Sequence, residues 1–196
     1  MAYYMITIQP GTLMTAEEFI RLPKEDGWHY ELAEGRLVRM PLAGYNHDVV
    51  VSRLAARLLP FVEEHDLGEC TLSQAGYLLS QRGEPDTVRS PDLAFVSSAR
   101  IPRPNTRESI GFPRLAPDLV VEVVSPSQYR PEMFERARMW LNSGVRLVWI
   151  IWPQSKQIEV WQPSSDTPTA VLGISDILDG LDVIPGFTCP IARLFK

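Results

Sequence analysis

The chain has 196 residues, 45% of them hydrophobic and 22% charged, which suits one soluble globular domain with a substantial core. Its net charge of −5 at pH 7 offers no global attraction to nucleic acid or to an anionic membrane, so such a partner would have to meet a local basic patch. No run is long enough to span a bilayer and the N-terminus lacks a secretory pattern. Cys70 and Cys189 sit in unrelated contexts that form neither a disulfide framework nor a zinc knuckle, and a reducing cytoplasm is expected.

Residues 1–13 show no strong pattern. Thr15-Ala16-Glu17-Glu18 fits a capping box and opens a short helix through Phe19, Ile20 and Leu22, which Pro23 ends. Trp28–Leu32 and Leu37–Met40 flank Ala33-Glu34-Gly35-Arg36 as a hairpin. Asn46 is placed to cap a longer helix bearing Val50, Leu54, Leu58, Phe61 and Val62, with Pro60 expected to kink or divide it. Glu69–Ser80 reads as a strand, and the turn Gly83-Glu84-Pro85-Asp86 leads into a second, Ser90–Val96, opened by Pro91-Asp92. Arg100–Arg114 is proline-rich and basic, with Arg100, Arg103, Arg107 and Arg114 against Glu108. It is the stretch best suited to meet phosphate, although a solvated connection is the plainer reading.

Pro117–Ser127 follows as a short apolar run with Glu122 in its middle, patterned as a strand buried on both faces. Arg130–Ser143 is an amphipathic helix closed by Gly144; Arg146–Trp152 is another apolar strand, and Pro153–Lys156 turns it back into Ile158–Trp161. The tail holds short strand-like pieces. The order predicts an α/β (α+β) fold over residues 1–196 as a single domain. Its core, about residues 46–152, is a mixed central β-sheet flanked by helices, with an extra N-terminal helix and hairpin and C-terminal strands.

Glu122 raises a chemical question. An unpaired carboxylate in a low-dielectric interior costs several kcal/mol, so a basic side chain, a shared proton or a metal ion must answer it. A structural ion pair would suffice. Asp92, on a second strand, tips the balance, because two carboxylates brought together repel each other and call for a cation. Other chemistries lack their patterns: His29, His47 and His65 have no zinc-ligand spacing, no Gly-x-Ser-x-Gly turn is present, and no Walker or Rossmann glycines suggest a nucleotide cofactor.

The ordered set Met14–Phe19, Tyr30-Glu31-Leu32, Gly35–Val38, His47, Pro91–Phe95, Pro117–Ser127 and Gly144–Ile150 resembles the Uma-two family of the PD-(D/E)XK nuclease superfamily, from Met14 to about Phe195. The resemblance implies a restriction-endonuclease-like core and a metal-dependent endonuclease acting on DNA. Asp92, Glu122 and the Val123 carbonyl would hold Mg²⁺ or Mn²⁺, Glu31 would join the catalytic set, and His47, Arg100, Arg103 and Arg107 would contact DNA. The superfamily lysine is missing two residues after Glu122, where Val124 stands; its family counterpart on the next helix is Arg136, which keeps the charge but cannot readily give up a proton. The family's aromatic residue there is Trp140, and Trp152 replaces an acid in a turn. These departures support an alternative: a catalytically weak or inactive protein acting as a nucleic-acid-binding or protein-interaction module. Trp140, Trp149, Trp152 and Trp161 read as core and sheet-face residues, some of which could cover an edge in a homodimer.

Overall fold

A computed structural model describes residues 4–5, 13–23, 25–102 and 111–195. In chain order the elements are β1 (Tyr4–Met5), α1 (Ala16–Ile20), β2 (Trp28–Ala33), β3 (Arg36–Pro41), α2 (Tyr45–Glu64), β4 (Gly68–Leu72), β5 (Tyr77–Leu78), β6 (Val88–Arg89), β7 (Leu93–Ser97) and β8 (Leu119–Val123). Then come α3 (Arg130–Asn142), β9 (Leu147–Trp152), β10 (Gln157–Trp161), β11 (Ala170–Leu172), β12 (Ile177–Asp179) and β13 (Thr188–Pro190). Two compact units result: Met1–Leu42, Ser73–Ser90 and Pro102–Ala116 form the first, and Ala43–Leu72, Pro91–Ile101 and Pro117–Lys196 the second.

The first unit is an antiparallel sheet in the order β1-β3-β2-β6-β5. Thr15 and Glu18 close a reciprocal capping box at the start of α1, which satisfies backbone donors that a short helix leaves bare. Phe19 then drops from α1 into a core with Tyr30, Leu32, Leu37, Leu78 and Val88. The β2–β3 hairpin turns on Glu34 and Gly35, both at positive φ (50° and 73°), the combination of a two-residue turn whose twist matches its strands.

The second unit is a six-stranded sheet ordered β11-β10-β9-β8-β7-β4. It is mixed: β8 and β9 run parallel, and the other neighbours antiparallel. Leu119, Val121 and Val123 of β8, with Leu93, Phe95, Trp149 and Ile151, face α2 through Val50, Leu54, Leu58 and Val62, and also pack with Leu178, Ile184 and Phe187 near the C-terminus. The alternate residues face α3, where Trp140 reaches Glu122 and Phe134 meets Trp161 edge-on. A strand buried on both faces therefore separates two helices, as its unbroken apolar pattern requires.

Three local expectations change. α2 begins at Tyr45 with Gly44 in the N-cap position and no side-chain cap, one residue before Asn46. It runs through Pro60 undivided, its last turns held to the sheet by buried Leu58 and Val62. Glu69–Ser80 is not one strand: a turn at Ser73 and Gln74 separates β4, in the second unit, from β5, in the first.

Asp118 locks the start of β8. It is 1% exposed, and it accepts the Ser97 N–H at 2.9 Å and Arg100 Nη1 at 2.7 Å, with Arg146 Nη1 at 3.7 Å. Burial alone would raise its pKa, but the Ser97 amide and Arg100 outweigh it and hold the carboxyl below its ordinary value. Asp118→Ala should cost about 2–3 kcal/mol in urea unfolding at neutral pH, discounted for the partly exposed arginines. A depressed carboxyl stabilises the fold above its unfolded pKa. The gap between wild type and variant should therefore narrow as pH falls through the lower, folded-state pKa.

Candidate functional site

Register relates the backbone positions of the two acids. β7 and β8 pair Leu93 with Val121, Ala94 with Val120 and Phe95 with Leu119. Asp92 directly precedes β7, and extending this register by one step sets it across from Glu122; its side chain meets His47 of α2, whereas that of Glu122 meets Arg136 and Trp140 of α3. The next step sets Pro91 across from Val123, and there the ladder must stop, because proline has no N–H to give. Val123 instead donates its N–H to Asp92 Oδ2 at 2.7 Å. Its carbonyl, on the strand side turned toward β7, is left without a ladder donor from Pro91. The Pro-Asp dipeptide thus ends the pairing and sets a carboxylate in its place.

Each acid has its own support. Asp92 Oδ2 also lies 3.0 Å from His47 Nε2, while His47 Nδ1 lies 3.1 Å from Asp48 Oδ1. His47 is buried in the first turn of α2. Burial by itself would lower its pKa; the hydrogen bond and charge of Asp92, then those of Asp48, more than reverse this and raise it above the ordinary histidine value. Glu122 is 5% exposed. Its Oε1 accepts both Arg136 Nε and Trp140 Nε1, each at 2.7 Å. Residues 136 and 140 are four apart on α3, so one helix face delivers both donors.

In the second unit Asp92 meets His47 and the Val123 amide, and Glu122 meets Arg136 and Trp140. His47, expected at phosphate, bonds Asp92. Arg100 is paired with Asp118 at the other end of β8 from Glu122, about 13 Å away along the strand. Arg103 and Arg107 lie outside the described residues. Glu31 belongs to the first unit, buried, where it accepts Arg89 Nη1 at 2.8 Å and the Ser90 N–H at 3.0 Å. Among the described residues no group of three His, Cys, Asp or Glu side chains forms a metal-binding cluster, so any cation here would draw on two carboxylates and backbone oxygen. Trp140 as a Glu122 donor was not anticipated, although its spacing from Arg136 was visible in the sequence.

A family model described as Uma2, putative restriction endonuclease, matches residues 16–192, and the chain belongs to that family. Among solved structures, the fold is similar to a crystal structure of a putative nuclease belonging to DUF820 from Anabaena variabilis. The TM-score is 0.76 at 21% identity, covering 93% of this chain and 97% of that one. No curated protein matches.

The Glu122 clamp can be measured. Arg136→Ala removes the charged partner of a buried carboxylate and should cost about 3 kcal/mol in urea unfolding. Adding Glu122→Gln should recover much of that loss, giving a coupling above about 1.5 kcal/mol in the double-mutant cycle; simple additivity would mean the pair does not hold the helix.

Proposed function

We propose that this Uma2-family protein is a metal-dependent endonuclease that hydrolyses DNA phosphodiester bonds at Asp92 and Glu122. What supports the reading is the β7–β8 register, which when extended by one step sets Asp92 across from Glu122, beside the Val123 backbone, whose amide Asp92 accepts and whose carbonyl Pro91 leaves without a ladder donor. That donor set, two carboxylates and a carbonyl, is hard oxygen throughout and fits Mg²⁺ or Mn²⁺ better than a soft metal. Both hydrogen bonds of Asp92 to described residues fall on Oδ2, which leaves Oδ1 with the capacity to take a ligand. A bound ion supplies Lewis acidity toward the phosphodiester and its attacking water.

The chain's own groups orient and charge the site. The Val123 amide and His47 fix the Asp92 carboxylate, so it need not reorganise to accept a ligand. Arg136 and Trp140 hold the Glu122 carboxylate by donating to it. Arg136 remains protonated, so its contribution is charge and not proton transfer. On this reading Glu31 is an anchor within the first unit, held by Arg89 and Ser90. DNA is the partner, a homodimer provides for cutting both strands, and a cytoplasmic setting suits the two free cysteines. No helix among the described residues is long and apolar enough to cross a membrane.

One observation favours a second reading, a weakly catalytic or inactive nucleic-acid or protein-binding module. The Arg136 guanidinium already lies on Glu122, where it would oppose a cation.

Supercoiled plasmid incubated with the protein and Mn²⁺ or Mg²⁺ should be nicked, and EDTA or Asp92→Ala should stop the nicking. Mn²⁺ should also raise the melting temperature of the wild type but not of Asp92→Ala, since binding to the native state alone adds stability. No nicking and no thermal shift would leave only the second reading. If Arg136 is what limits cleavage, Arg136→Lys should nick faster than the wild type.

A further inference from the structure

Glu159 is a fully buried carboxylate that takes no part in the site just described. It sits on β10 across from Ile150, which is itself across from Glu122 on the parallel neighbour β8. Glu122 and Glu159 therefore lie in one transverse row on the α3 face, two strand spacings or about 10 Å apart. Both are answered by arginines of α3: Glu122 by Arg136, and Glu159 by Arg130. The two arginines differ in one respect. The Arg136 side chain is 12% exposed, whereas that of Arg130 is 52% exposed.

Arg130 is also held from a second direction. Its guanidinium carbon lies 4.7 Å from the centre of the Trp152 ring, and Trp161 Nε1 contributes a long contact to Glu159 from below. Stability does not account for this arrangement. A buried ion pair generally gives no net advantage over apolar residues of similar volume, and the surrounding β10 and α3 faces are apolar. What the pair does achieve is to fix a guanidinium at the surface with its outer donors toward solvent. Arg138 is met by the exposed Glu135 and Asp166, and Arg146 by the exposed Asp182 as well as by buried Asp118; Arg100, like Arg130, is paired with a buried acid, Asp118. The acid paired with Arg130 lies beneath it, inside the protein.

We propose that Arg130, mounted on buried Glu159 and Trp152, is a preset contact for a nucleic-acid phosphate flanking the Asp92–Glu122 site. An arginine immobilised before binding loses little side-chain entropy on meeting phosphate, and its planar fork suits two phosphate oxygens. The separation of the row places this contact one or a few phosphates along the strand from the reacting one. The inference rests on the nuclease reading for its substrate, yet binding can be tested without cleavage.

The experiment is fluorescence anisotropy of a short labelled DNA duplex in EDTA across a range of salt concentrations, with plasmid nicking in Mn²⁺ run beside it. The decisive protein is the double variant Arg130→Gln, Glu159→Gln. It strands no buried charge, leaves the net charge unchanged, and should keep its melting temperature. It should bind about tenfold more weakly, and its slope of log affinity against log salt should be shallower by about one phosphate contact. Arg130→Lys should keep the slope while losing part of the affinity. Unchanged affinity and slope in the double variant overturns the proposal, even if the wild type nicks DNA. Weakened binding in the absence of any nicking keeps Arg130 as a binding residue and removes the nuclease reading. A wild type that neither binds nor nicks removes both.

Discussion

Burying Glu122 on a sheet face obliges the chain to supply donors there, and that obligation governs how α3 packs. The face of β8 that carries Glu122 is lined by Val120, Val148 and Ile150, all buried. A carboxylate left alone in such a place costs several kcal/mol. α3 supplies Arg136 and Trp140, and with Met133, Ala137 and Trp140 packed inward the rotation of the helix is fixed by charge as well as by shape. Near the start of α3, Arg130 repeats the arrangement over Glu159. Two buried acids of the sheet are thus each met by an arginine of the helix.

Pro91 and Asp92 perform the complementary task at the neighbouring strand. A proline within a ladder withholds one donor, and here the withheld donor would have served Val123. The following aspartate takes up the Val123 amide with one carboxylate oxygen. This local exchange, two adjacent residues long, converts the end of a strand pair into a place where acid and carbonyl oxygens gather. It also explains why His47 faces Asp92: α2 packs on the opposite face of the sheet from α3, and its first turn reaches the point where pairing stops.

Much of this was legible in the sequence because it rests on local rules. The apolar run around Glu122, the Pro-Asp opening of β7, the capping box at Thr15 and the glycine closing α3 each announce themselves within a few residues. Register does not, since it depends on which strands pair; that Asp92 and Glu122 stand opposite each other had to come from the fold. The α2 start was misplaced because Gly44 caps by conformation alone and leaves no side-chain signal. β4 and β5 merged into one expected strand because apolar residues continue on both sides of the Ser73-Gln74 turn. Glu159 was hidden for a related reason. In Ile158-Glu159-Val160 the alternation reads as a strand with its polar side in solvent, whereas α3 covers that side.

The buried acids of the second unit separate by what lies above them. Asp118 closes one end of β8, drawing in Arg100 and Arg146 and the Ser97 amide until its oxygens are satisfied. At the other end the support of Asp92 is lopsided: both its contacts to described residues fall on Oδ2. A structural ion pair is expected to resemble Asp118, with donors shared over both oxygens, because each unsatisfied lone pair in a dry interior is a cost. For Asp92, donors gathered on one oxygen make sense where the other is kept for a ligand. That contrast within a single strand is the physical reason for seeking chemistry at its Glu122 end and stability at its Asp118 end.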